Sequence, residues 1–385
     1  MYQNAVFLGL CQFLFMASVS VGLSFTGIVG EKMASSTALS TLPFLIMTAT
    51  TAILTLFLPR IFARLGYKKA FVLGTLLGSL GGGFAALGVF WNSFFIFCGA
   101  GLFTGCYQAS ALYYRFAAAD SVANQYKSKA IAWVLNGGIL AALIGPLLGK
   151  YSLHFFSQDY LGSYLLVACL ALIVLPFIGL TQLPPRNISN TQQTVRVWQL
   201  IRYPRAIAVI LLSAGGYAMM MMVMLASPLA MHHSGYHASD AASVIQWHLL
   251  GMFAPSLITG SLINRWGSLV VGVLGCLILI GGCLLALSGF SLSNFHWGLM
   301  LVGVGWNFMY MAGTTLIMQW SDLALRGRLQ SVNEFITFGV MTITAGGTGW
   351  LYQVLGWQSL LVFAILVTVS LLAIVFWQRR HKAAF

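Results

Sequence analysis

Apolar runs of about twenty residues follow one another along the chain, separated by short polar or basic clusters. Runs of that length match what an α-helix needs to cross a bilayer. Only helices and closed barrels satisfy their backbone polar groups in lipid, and the alternating pattern of barrel strands is absent. Twelve helical spans are therefore predicted, at about 4–29, 37–58, 70–90, 94–115, 129–149, 161–181, 206–229, 241–263, 268–290, 294–318, 329–349 and 356–377. The first lacks a basic leading segment and a small-residue cleavage site, so it reads as a retained helix rather than a signal peptide.

Composition sharpens this picture. Of 385 residues, 59% are hydrophobic and 6% charged, whereas about a quarter are charged in ordinary soluble domains. The net charge of +13 would suit a nucleic-acid binder, but 17 of the 19 basic residues fall in alternate loops and the C-terminal tail, leaving Lys32 and Lys150 on the other side. By the positive-inside rule this places both termini in the cytoplasm and argues against nucleic acid. The lipid bilayer is the expected surrounding, and a monomer the expected functional unit. Six cysteines (Cys11, Cys98, Cys106, Cys169, Cys276, Cys283) lie inside spans with no CxxC pair, and read as small buried hydrophobes rather than disulfides or zinc ligands.

An internal repeat organises the spans. The loop "PRIFARLGYKK" after the second span and "GSLINRWGS" after the eighth both hold R-x-G, at Arg64/Gly66 and Arg265/Gly267, an offset of 201 residues. A duplicated six-helix unit explains this, giving an N-terminal bundle (1–182), a polar, basic cytoplasmic linker (183–205) and a C-terminal bundle (206–385). The fifth span carries Gly137, Gly138, Gly145, Pro146 and Gly149, suited to close helix packing. The two loops and the G-P-x-x-G of Gly145, Pro146 and Gly149 resemble the major facilitator superfamily across essentially the whole chain. The resemblance implies an all-α polytopic fold of two pseudo-symmetric six-helix bundles that rock about a midplane site. Pro59 and Ala63 replace the glycine and aspartate of the family's first loop, and Asn264 replaces the acid of the second.

Candidate chemistry is sparse. Of six acids (Glu31, Asp120, Asp159, Asp240, Asp322, Glu334), only Glu334 falls inside a predicted span rather than in a loop or at a span end, and it does so at shallow depth. It serves either proton coupling or an ion pair with Arg326 or Arg328. Asp120 is expected to pair with Lys127 and Lys129, and Arg115 is the one cation near the inner end of the fourth span. With no central acid or cation, a binding cavity must use neutral groups.

Methionine and histidine supply them. The stretch "GGYAMMMMVMLASP" (215–228) puts Met220 and Met224 four apart on one face of the seventh span, and "IQWHLLGMFAP" repeats the spacing with His248 and Met252 in the eighth. His248 is the only histidine assigned to the interior of a span. Thioether and imidazole together favour Cu(I), and Met221 is a possible auxiliary ligand. Met231, His232, His233 and His237 in "MHHSGYH" are expected in the outer loop, where they could collect metal. The ordinary alternative is methionine as core filler and a histidine bonded to a neighbouring helix.

The two motifs resemble those of the CcoA-like copper importers of bacterial inner membranes, as does "YYRFAAAD" (113–120). That resemblance implies that Met220, Met224, His248 and Met252 bind copper during import, and that the copper serves assembly of a cbb3-type oxidase. Copper is then the transported substrate and no resident cofactor is expected. At the offset of 201, the first bundle offers Val19, Leu23, Met47 and Thr51 instead, so binding would be asymmetric. The same branch includes riboflavin transporters. A small organic solute held by Trp306, Asn307 and Tyr310 of the tenth span is thus the first rival, and a non-transporting copper sensor or assembly scaffold the second. No nucleophile, base and orienting group share one depth, so an enzyme is not expected.

Overall fold

The structure, a computed structural model, describes residues 2–123, 126–183, 204–318 and 323–380. The polar linker at 184–203, and with it most of the segment predicted to join the bundles, lies outside the described residues.

The described residues fold entirely into helices and short connections. They are α1 (Gln3–Met33), α2 (42–65), α3 (67–90), α4 (Phe94–Ala111), α5 (Tyr114–Asp120), α6 (Lys127–Ser152) and α7 (Leu161–Leu180). Then come α8 (Pro204–Ile210), a π turn (Leu211–Gly215), α9 (Gly216–His233), α10 (Ala238–Phe253), α11 (Ser256–Trp266), α12 (Ser268–Leu287) and α13 (Leu292–Met318). Helices α14 (323–355) and α15 (357–380) end the described chain. Eleven stretches are long and apolar enough to cross a membrane. The last, Phe335–Val375, is 41 residues long and is interrupted at Gly356 (φ 71°, ψ 175°), so it holds the last two of the twelve predicted spans.

The repeat-related turns share one backbone geometry. Gly66 has φ 75° and ψ 163°, and Gly267 has φ 86° and ψ 150°. A side chain is strongly disfavoured in that region, which is why both copies of R-x-G keep glycine.

The chain divides into two compact units. Unit 1 holds residues 1–190 with 235–246, and unit 2 holds 191–234 with 247–385. In unit 1, α6 lies along α1. A side chain at Gly137 would collide with the backbone at Gly9, and one at Gly145 with Ser20 and Ala17, as the glycine-rich fifth span led one to expect. At the end of the unit that carries the R-x-G turn, Lys68 donates to the carbonyls of Gly179 and Thr181 at the C-terminus of α7, where the helix dipole favours a cation. Asn4 and Gln182 exchange two hydrogen bonds there.

Several expectations need correction. Asp120 accepts a 2.8 Å hydrogen bond from the Tyr67 hydroxyl, while Lys129 lies 5.5 Å from the centre of the Tyr2 ring rather than serving Asp120. The Lys127 side chain lies outside the described residues. The side chains of Glu334, Arg326 and Arg328, and all of Asp322, also lie outside them. Cys169 is exposed rather than buried. Finally, α9 continues to His233, so Met231, His232 and His233 are helical instead of lying in a loop. His296 also falls in a helix, α13, beside Trp247.

Candidate functional site

Every proposed metal ligand in the two spans belongs to unit 2, and all four are buried: Met220, Met224, His248 and Met252. Their surroundings differ. In α9 and its π turn, 89% of the apolar window is covered, against 33–56% in the other ten stretches. The whole run Met219–Met224 is buried, and flexible thioethers suit irregular gaps between packed helices. Met220 and Met224 are therefore not set apart from Met219, Met221 and Met222 by burial.

His248 is better defined. Its Nδ1 donates to the Leu299 carbonyl of α13 at 2.7 Å. A carbonyl only accepts, so Nδ1 carries the proton and Nε2 presents a lone pair. That Nε2 is buried and has no hydrogen-bond partner. A backbone carbonyl behind one imidazole nitrogen with the other left open is how a metal-binding histidine is oriented. Among the described residues, no three His, Cys, Asp or Glu side chains converge as a metal site, so any metal here would depend on sulfur.

The histidines at the α9–α10 connection are more dispersed. His232, His233 and His237 are exposed. His233 Nδ1 lies 3.0 Å from the Tyr352 hydroxyl, and the His237 backbone N–H donates to Asp240. Arg115, at the start of α5, places its guanidinium 4.9 Å from the centre of the Phe116 ring.

The tenth-span aromatics form a definite cluster. Trp306 and Tyr310 stack with centroids 5.3 Å apart and planes at 14°. Tyr217 meets Trp306 edge-on at 5.2 Å and 89°. Offset and edge contacts of this kind suit the aromatic quadrupole. Trp306 Nε1 is buried without a partner. Asn307, by contrast, is held at both ends: its amide nitrogen donates to the Met252 carbonyl at 2.8 Å, and its oxygen accepts from Thr259 at 2.8 Å. It ties α13 to α10 and α11, a structural role beside the solute contact expected of it. Tyr217 carries no signal in the sequence pattern. It lies two residues beyond the π turn, whose wider ring rotates the residues that follow. Only the Gly215–Gly216 pair hints at such irregularity.

The internal repeat relates these residues to a cavity in unit 1. That cavity, about 710 Å³ including its open mouth, is lined by α1, α2, α3, α4 and α7, with Val19, Met47 and Gln108 among its walls. Gly81 abuts Ala100 and Thr104, and Gly282 abuts Gly298 and Val302. Likewise Gly105 abuts the Met47 carbonyl and Gly303 the His248 carbonyl. The α4 and α13 copies, matched at Gly105 and Gly303, are thus offset by 198 residues, three fewer than the α1–α3 copies. With these offsets Val19, Met47 and Gln108 correspond to Met220, His248 and Trp306. Thioether, imidazole and indole occupy in unit 2 the positions that line the cavity of unit 1.

Twelve spans in two copies of six, with binding chemistry at repeat-related positions, describe a membrane carrier. Residues 7–318 match the Major Facilitator Superfamily, and the chain belongs to that family. It is a multi-pass membrane protein of the transporter class, and its relatives are transporters rather than enzymes. It is 36% identical over 375 residues to the riboflavin transporter RfnT of Brucella anthropi, covering 95% of this chain and 94% of the relative. The uncharacterized MFS-type transporter YdeG of Bacillus subtilis is 24% identical over 406 residues, covering 98% and 93%. Among solved structures, the nucleoside transporter NupG matches with a TM-score of 0.76 at 16% identity, over 98% of this chain and 100% of that one. A bacterial homologue of the human lysosomal transporter Spinster matches with a TM-score of 0.73 at 15% identity, over 98% and 96%. At such identities these two likenesses concern the fold alone.

Proposed function

We propose that the chain carries a small neutral heteroaromatic solute, of the riboflavin kind, across a bacterial inner membrane by rocking of its two bundles, with both termini cytoplasmic. The observation that carries this reading is the 36% identity with a riboflavin transporter along nearly the full length of both chains. The stacked Trp306 and Tyr310 with Tyr217 edge-on supply a surface for a flat ring. The open Trp306 Nε1 supplies a donor for a ring carbonyl or ring nitrogen. Neutral lining suits a neutral solute, since a central charge would go unpaired.

A second reading is import of copper, and one observation favours it: the buried, unpartnered Nε2 of His248, at a position repeat-related to a cavity wall. Met220, Met224 and Met252 would complete a soft, neutral coordination set. The full burial of α9 weakens this reading, because it explains the methionines as packing.

Uptake into proteoliposomes separates the two. Labelled riboflavin is expected to accumulate saturably and to be displaced by unlabelled riboflavin, with labelled copper at the level of empty liposomes. Copper uptake without riboflavin uptake would replace the first reading by the second.

A further inference from the structure

The cavity of unit 1 has mostly apolar walls, and most of its polar wall groups are already engaged. Ser18 donates to the Leu14 carbonyl of its own helix, and Thr104 to the carbonyls of Ala100 and Gly101. Thr26 and Tyr164 share a hydrogen bond of 3.2 Å between their hydroxyls. Tyr107 sets its ring edge-on to Phe15, with centroids 5.0 Å apart, and bonds its hydroxyl to that of Tyr114. Gln108 differs from all of these. It stands on the wall one turn beyond Thr104 on α4, and its Oε1 is buried with no hydrogen-bond partner among the described residues. Other glutamines of the unit are satisfied: Gln158 donates to the Val89 carbonyl at 2.5 Å, and Gln246 to the Leu143 carbonyl at 2.7 Å.

A few placed polar groups in an otherwise apolar cavity are what orient a bound small molecule. The repeat adds an independent observation. The position in unit 2 that corresponds to Gln108 is Trp306, whose Nε1 is also buried without a partner. Both copies thus hold an uncompleted polar group at the same place on the same helix, a carboxamide in one and an indole N–H in the other. A carboxamide carries an acceptor and two donors in one plane. Its terminal torsion is soft, so both ends can turn toward a bound ring. The matching partner is a ring edge in which an N–H adjoins a carbonyl, as in a lactam or an imide. The two then exchange a pair of hydrogen bonds, as glutamine does with the edge of adenine. No charged side chain lines the cavity, so an ionic solute finds no counter-charge there.

We propose that Gln108 is a specificity-determining residue in the cavity of unit 1, selecting solutes that carry such an N–H/C=O edge. This rests on the reading that the chain carries a neutral heteroaromatic solute, and narrows it to lactam and imide rings, of which the flavin ring is one. Flavin fluorescence inside washed proteoliposomes tests it, with riboflavin set against N3-methylriboflavin, in which a methyl group replaces the ring N–H between the two carbonyls. The parent is expected to take up riboflavin about tenfold faster or more, because a site built to hydrogen-bond a group discriminates against the analogue that lacks it. Gln108→Leu is expected to bring the two rates within about twofold of each other. Gln108→Met, unbranched like glutamine, gives the same comparison should the leucine variant fold poorly. A preference kept by either variant, or missing in the parent, would overturn the proposal. Parent vesicles that take up neither flavin would instead contradict the solute reading beneath it, and the inference would fall with that reading.

Discussion

The two units build the same seam between corresponding helices and fill it differently. In unit 1, α2 and α4 approach at Gly105, and Thr51 donates to the Gly105 carbonyl at 3.1 Å. In unit 2, α10 and α13 approach at Gly303, but Met252 stands where Thr51 stood, so the donor has moved to the other helix: Asn307 reaches back to the Met252 carbonyl. Beside this tie, unit 1 lines its cavity with Val19, Met47 and Gln108, and unit 2 offers Met220, His248 and Trp306. The duplication has kept backbone geometry and glycine contacts while side-chain chemistry diverged. On the proposed reading the aromatic groups able to recognise a substrate are those of unit 2, whereas the cavity of unit 1 is lined mainly by apolar side chains.

The greatest loss is expected from Asn307→Leu. It leaves the buried Met252 carbonyl without its donor, while the Thr259 hydroxyl keeps the Pro255 carbonyl of its own helix, and should cost about 1–3 kcal/mol in denaturant unfolding. Thr51→Val, which removes the corresponding tie, should cost less, because Thr51 also bonds its own helix at Met47 and strands only carbonyls already satisfied there. Equal losses would mean that the two ties are equivalent and the asymmetry is superficial.

Next come the paired turns. Gly66→Ala and Gly267→Ala each force a side chain into a backbone region reserved for glycine, and each should destabilise by about 1–2 kcal/mol. Here the prediction is symmetry, since the two turns have the same geometry. A loss in one copy only would show that the repeat is not mechanically equivalent at its turns.

The mildest change belongs to Tyr67→Phe, which removes the bond to the exposed Asp120 and should cost about 1 kcal/mol or less. If raising salt reproduced this loss in the parent but not in the variant, a charge contact to Asp120 would outweigh the tyrosine bond.

The spans and the repeat are legible in the sequence because they follow from strong, local physics: uninterrupted apolar length, basic loops, and a glycine required at each turn. The metal-like spacing of Met220, Met224, His248 and Met252 is legible too, but its meaning is not. Spacing says which residues share a face of one helix, and it does not say that all of Met219–Met224 are buried. Tyr217 escapes notice because a π turn shifts its direction, and no sequence period reports one extra residue in a turn. Proximity along the chain points Asp120 to lysines, whereas its partner Tyr67 comes from another helix. Asn307 looks like a ligand in the sequence, but its partners Thr259 and Met252 lie far away along the chain.

Uptake by two single variants decides most directly whether unit 2 reads a flat organic solute through its aromatic cluster. Trp306→Leu should reduce riboflavin uptake into proteoliposomes about tenfold, the equivalent of roughly 1.4 kcal/mol of lost stacking and hydrogen bonding. His248→Leu should leave it within about twofold, as a difference of roughly 0.4 kcal/mol would. Riboflavin uptake indifferent to Trp306, together with copper uptake abolished by His248→Leu, would contradict this reading and make the imidazole the functional centre.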